Sequence, residues 1–136
     1  MILPQILPVV VAAIVAFLIG ALWYSPALFA KAWVRAHGHT PETLAAMQAG
    51  AARAYGISFA CFLLMAAVLA IFLTHLGVMG WMYGLHWGAM AWLGIAAPIG
   101  ITANVYSDKP FMAWVIDGGY QLVYLMAMGA ILGAWR

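Results

Sequence analysis

Four long apolar runs, at roughly 3–24, 54–75, 81–103 and 111–134, constrain this chain more than any other feature. Each is close to the 20 or so residues that carry a helix across a bilayer. Between them the 136 residues hold only five Lys/Arg and three Asp/Glu, with a mean hydropathy of +1.06. A soluble domain carries about a quarter charged residues and could not solvate its surface with so few. Barrel strands would alternate apolar and polar positions in segments of about ten, and no such alternation is present. The expectation is an all-α, integral membrane four-helix bundle in a single domain, 1–136, with an interfacial segment, 26–53, between spans 1 and 2.

A cleavable signal begins with positive side chains, and no Lys or Arg precedes Lys31, so the first span is expected to be retained. Cys61 is the only cysteine, and its place inside span 2 suggests a small packing residue rather than a nucleophile. Lys31, Arg35 and Arg53 flank loop 1 and Lys109 lies in loop 3, against Arg136 and the amino terminus on the other side. The positive-inside rule then places loops 1 and 3 in the cytoplasm and both termini outside.

The stretch LWYSPALFAKAW, residues 22–33, reads as an interface stop. Trp23 and Tyr24 are amphipathic rings suited to headgroup level, and a residue before proline is pushed out of the α region. A short amphipathic helix starting at Pro26 would set Leu28, Phe29, Ala32 and Trp33 on one side and Lys31 with Arg35 on another, to lie on an anionic leaflet. A plain loop with basic anchors is the other reading. In TPET, Thr40 can cap a helix, Pro41 fits its first position and Glu42 complements its dipole. Unbroken to His75 that helix would measure about 52 Å, far beyond a hydrocarbon core of about 30 Å. A break near Gly50 or Gly56, or a first stretch standing in the cytoplasm, is therefore expected.

WYSPALFAKAW and VYSDKPFMAW, at the ends of spans 1 and 3, share Tyr-Ser, Pro, Phe and Ala-Trp. Two parallel hairpin repeats or simple interface chemistry both account for the match. Small residues mark the seams: Gly80, Gly84 and Gly88 in span 3, Gly129 and Gly133 in span 4, and Ala12, Ala16 and Gly20 in span 1. Pro98 interrupts span 3, and a kink that frees the Gly94 carbonyl is expected there.

Asp117 lies two turns into span 4, where an acid costs up to about 3 kcal/mol at the helix centre and less towards the interface. Some partner has to compensate it. Arg53 is the first choice for an ion pair, with Tyr24, Ser25 and Asn104 as alternatives by depth. Tyr120, Gln121 and Tyr124 extend Asp117 into an inward polar and aromatic stripe. His86 enters span 3 from the other side, about 12 Å away in depth, which argues against a direct dyad. With Met90, Leu93, Ala97 and Asn104, and with Trp87 or Trp92, it would line an aromatic cavity for a small lipophilic or cationic ligand or an ion. Bonding of His86 to a carbonyl in a packed bundle is the plainer reading. His37 and His39 form an HxH pair near Glu42, but that spacing fixes no tetrahedral metal site. His75 reads as an interfacial residue. No cofactor is implied.

The run Gly20, Leu22, Trp23, Tyr24, Ser25, Pro26, Phe29, Lys31 and Trp33, within a four-span plan, resembles a family of small bacterial membrane proteins of unknown function. The resemblance implies four spans and the bacterial inner membrane and supplies no activity. No HExxH, no GxGD and no nucleophile beside a base argues for an enzyme. The partner is the lipid bilayer, with no nucleic acid and, from the small-residue seams, further copies of the chain in a homo-oligomer. Two functions are open: a transporter, pore or small-ligand-binding protein, or a noncatalytic scaffold or partner subunit whose polar residues serve packing.

Overall fold

A chain in lipid has no water to satisfy its backbone, so each apolar run has to close its own hydrogen bonds as a helix. The computed structural model describes residues 5–135. Among them it contains α1 (Ile6–Trp23), α2 (Ala30–His37), α3 (Pro41–Ala49), α4 (Ala51–His75), α5 (Trp81–Ala91), α6 (Ala97–Tyr106) and α7 (Phe111–Ala134). A π-helical turn, Trp92–Ala96, joins α5 to α6. The four segments long and apolar enough to cross a membrane are α1, α4, the continuous α5–α6 segment and α7. The all-α, four-span expectation is met. Span 2 starts at Ala51 rather than 54 and span 3 runs on to Tyr106 rather than 103. The first residues of the expected span 1, the amino terminus and Arg136 lie outside the described residues.

Helix α7 is the centre of the bundle, packing against α1, α4, α5 and α6 and, near its start, α2. Small side chains set how closely the helices approach on one side. Ala12, Ala13 and Ala16 of α1 and Ala66 of α4 are 0% exposed. They pack in one cluster with Leu69, Ala70 and Leu73 of α4 and Tyr124, Leu125, Met128 and Leu132 of α7. On the other side, glycine brings backbone against backbone. A methyl group at Gly84 would run into the carbonyl of Gly129, one at Gly88 into Leu125, and one at Gly133 into Gly80. The Gly80 N–H donates across this seam to the Gly133 carbonyl at 3.0 Å. The glycine face of span 3 thus meets span 4 of the same chain, where dispersion and close packing replace the hydrophobic drive that lipid removes.

Pro98 acts one turn earlier than its own position. Lacking an N–H, it cannot continue the α ladder to Gly94. The chain takes up the extra residue as the π turn, with the Ala97 N–H reaching back five residues to the Trp92 carbonyl. The indole of Trp92 then bonds the Gly118 carbonyl at 2.8 Å, tying the π turn to α7.

The long second helix breaks at Gly50, which ends α3 and begins α4. Thr40 caps α3 in a reciprocal box: Thr43 N–H donates to its Oγ1 at 3.2 Å and Thr40 N–H donates to Thr43 Oγ1 at 2.8 Å. Helix α2 begins at Ala30, not Pro26; the Ser25–Pro26 region forms a turn in which Phe29 N–H reaches the Trp23 carbonyl at 3.1 Å. Phe29, Trp33 and Ala36 face the bundle, packing on Ala113 and Ile116 of α7, while Leu28 and Ala32 are exposed. Cys61 is exposed on α4, so it is not the packing residue expected of it.

Candidate functional site around Asp117

The start of α7 carries Asp117 beneath α2 and the end of α1. Trp33 and His37 stand four residues apart on α2, so one helix face presents an indole and an imidazole to the same point. Tyr24, just past the end of α1, adds a phenol. Tyr24 Oη donates to Asp117 Oδ1 at 2.6 Å and Trp33 Nε1 donates to the same oxygen at 3.1 Å. His37 Nε2 pairs with Oδ2 at 2.9 Å. On the far side of that ring, Lys109 Nζ lies 2.9 Å from His37 Nδ1.

The two contacts of His37 decide its proton arrangement. An ammonium only donates, so Nδ1 has to accept from Lys109. The remaining ring proton then sits on Nε2 and points at Asp117. The carboxylate receives three donors from two segments, Tyr24 at the end of α1 and Trp33 with His37 on α2, and His37 stands between the Lys109 amine and the Asp117 carboxylate. Its side chain is 12% exposed and that of Asp117 is 32% exposed, so the cluster opens at the end of the bundle rather than at its middle. Aromatic rings brace it: Tyr24 meets Trp33 edge-on at 5.9 Å and Tyr120 at 5.4 Å, and Trp33 lies 4.8 Å from the His37 ring.

The other expected residues fall in different places. Arg53 does not pair with Asp117; it is exposed at the start of α4, because α2 occupies the space beside the carboxylate. Ser25 Oγ bonds the Leu22 carbonyl at 2.7 Å, and Asn104 donates to the Lys109 carbonyl at 3.2 Å. Trp23 donates to the Ile116 carbonyl at 2.9 Å, so this interface residue also fastens α1 to α7. The stripe on α7 does face inward, but into packing: Tyr120 Oη donates to the Ala16 carbonyl at 2.7 Å and Tyr124 Oη reaches Met65 Sδ at 3.7 Å. Gln121 is half-buried with no hydrogen-bond partner among the described residues.

The residues expected around an aromatic cavity divide between two faces, with Ala97 buried and the Trp92 indole bonded to α7. His86, Trp87, Met90 and Leu93 lie on the exposed face of the α5 segment, because its glycine face is the one turned to α7; His86 touches Trp87 with centroids 5.5 Å apart. His39 bonds Thr43 Oγ1 at 3.2 Å, and His75 bonds its own helix at the Ile71 carbonyl at 2.9 Å.

Trp33 and His37 are the functional side chains that sequence reasoning missed as partners of Asp117. Their four-residue spacing is the available signal, masked by the His37–His39 pair, which has the look of a loop motif.

Four membrane-length helices closed at one end by a hydrogen-bonded carboxylate define a multi-pass membrane protein. The chain matches the family model described as "Protein of unknown function (DUF1761)" over residues 7–133, and it belongs to that family. No curated protein and no solved structure matches it.

Proposed function

We propose that this chain is a noncatalytic membrane scaffold or partner subunit in which Asp117 fastens α2 to the bundle. The observation that carries this reading is the occupancy of the carboxylate, which accepts from Tyr24, Trp33 and His37 instead of lining a path. A pore needs its acid facing water across the bilayer; here Tyr120 and Tyr124 fill the deeper positions against α1 and α4. Lys31, Arg35, Arg53 and Lys109 belong to loops 1 and 3, which favours the cytoplasm for that end and both termini outside. The bacterial inner membrane, with further copies of the chain as partners, completes the proposal.

A second reading, a proton-conducting protein, has one observation in its favour. Lys109, His37, Asp117 and Tyr24 form a continuous hydrogen-bonded chain from an exposed loop to the bundle. Flux separates the two. In liposomes holding a pH-sensitive dye, the scaffold reading expects wild-type protein and Asp117→Asn to leave the gradient decaying as in protein-free vesicles. Proton flux by the wild type that disappears in Asp117→Asn establishes conduction instead.

A further inference from the structure

The face of α2 opposite Asp117 carries a second site. Pro26, Ala30 and Val34 line an open groove together with Lys31, Arg35 and His39. We propose that this groove binds the phosphodiester of an anionic lipid headgroup.

Lys31 and Arg35 lie one helical turn apart, so their charges converge on one spot. Both are exposed, and neither is in an ion pair among the described residues, where the ion pair formed is His37 with Asp117. Such a pair of cations meets a phosphate well, because guanidinium offers a planar fork and ammonium a point charge. The sequence around the groove is of interfacial character. Pro26 comes two residues after Tyr24, in a stretch whose Trp23 and Tyr24 are rings of the kind that settle at headgroup level, and Leu28 nearby is exposed. Its apolar lining residues, Pro26, Ala30 and Val34, suit the glycerol and first methylenes of a lipid rather than a free ion. Because Trp33 and His37 hold the other face of α2 to Asp117, the two cations are already turned outward before a ligand arrives.

The test is native mass spectrometry of the full chain, released from micelles containing equal amounts of phosphatidylglycerol and phosphatidylcholine. Wild-type protein is expected to retain phosphatidylglycerol about thirtyfold over phosphatidylcholine, the scale of two basic side chains at an anionic surface. Lys31→Gln/Arg35→Gln is expected to lose most of that preference and Arg53→Gln to keep it. Lys31→Glu/Arg35→Glu should retain phosphatidylglycerol less well than phosphatidylcholine, a reversal that mere misfolding does not produce. Equal retention by the wild type, or undiminished preference in the double glutamine variant, overturns the site. Millimolar inorganic phosphate should leave the lipid bound; displacement overturns the headgroup assignment in favour of free phosphate.

Discussion

His37 Nε2 stands 2.9 Å from Asp117 Oδ2 across 80 residues of sequence, and this contact closes loop 1 onto the fourth span. Helix α2 has only eight residues, fewer than an isolated helix needs to persist in water. Its order therefore depends on what it is fastened to, and the acid on α7 is the strongest attachment in reach.

Tyr24→Phe removes one donor and leaves the ring packing on Trp33 and Tyr120 intact. The bond lost is to a charged acceptor, so stability should fall by about 1.5–3 kcal/mol. Thermal unfolding in detergent, compared with wild type, measures it; an unchanged midpoint contradicts the bond to Asp117.

The tautomer of His37 is a direct spectroscopic consequence of its two neighbours. Long-range nitrogen–proton correlation on selectively labelled protein should report the Nε2–H form, with Nδ1 bare and accepting from Lys109. Lys109→Met removes the donor to Nδ1 and leaves the Asp117 carboxylate alone to hold the proton on Nε2. A wild-type ring carrying its proton on Nδ1 contradicts the arrangement.

Gly84→Ala places a methyl group against the Gly129 backbone, which cannot rotate away as a side chain could. Overpacking of this kind costs about 1–3 kcal/mol. Gly56, on α4, has open space where its methyl would sit, so Gly56→Ala should instead gain up to about 1 kcal/mol from helix propensity. Melting both variants against wild type tests the seam, and equal effects contradict it.

Arg53→Ala should change stability by less than about 0.5 kcal/mol, as expected for an exposed side chain without a partner. A loss comparable to that of Tyr24→Phe would revive the Arg53–Asp117 pair.

The spans were legible because length and apolarity leave a lipid-bound backbone one solution, and the bilayer's thickness offered Gly50 as one of the places, with Gly56, where the long helix could break. The glycine spacing in span 3 was legible too, and its partner proved to be α7. Sequence reading reached one partner of Asp117, Tyr24, but ranked it behind Arg53 and did not reach Trp33 or His37. Depth along the helices admits Arg53, Tyr24, Ser25 and Asn104 alike and charge favours Arg53, but depth carries no angle, and only the packing of α2 on Ala113 and Ile116 swings Trp33 and His37 over the acid. Starting that helix at Pro26 rather than Ala30 also stopped the apolar face at Trp33, short of His37. The placement of His86 failed for a related reason: its helix turns its glycines to α7, and that choice of face sends the histidine outward.

The most direct measurement of the clasp is amide hydrogen exchange across α2 in detergent, comparing wild type with Asp117→Ala. Loss of the carboxylate should speed exchange in Trp33 through His37 at least tenfold, the effect of about 1.4 kcal/mol on a local opening, while amides in the α5–α7 glycine seam keep their protection. Unchanged protection of α2 in Asp117→Ala would contradict the account.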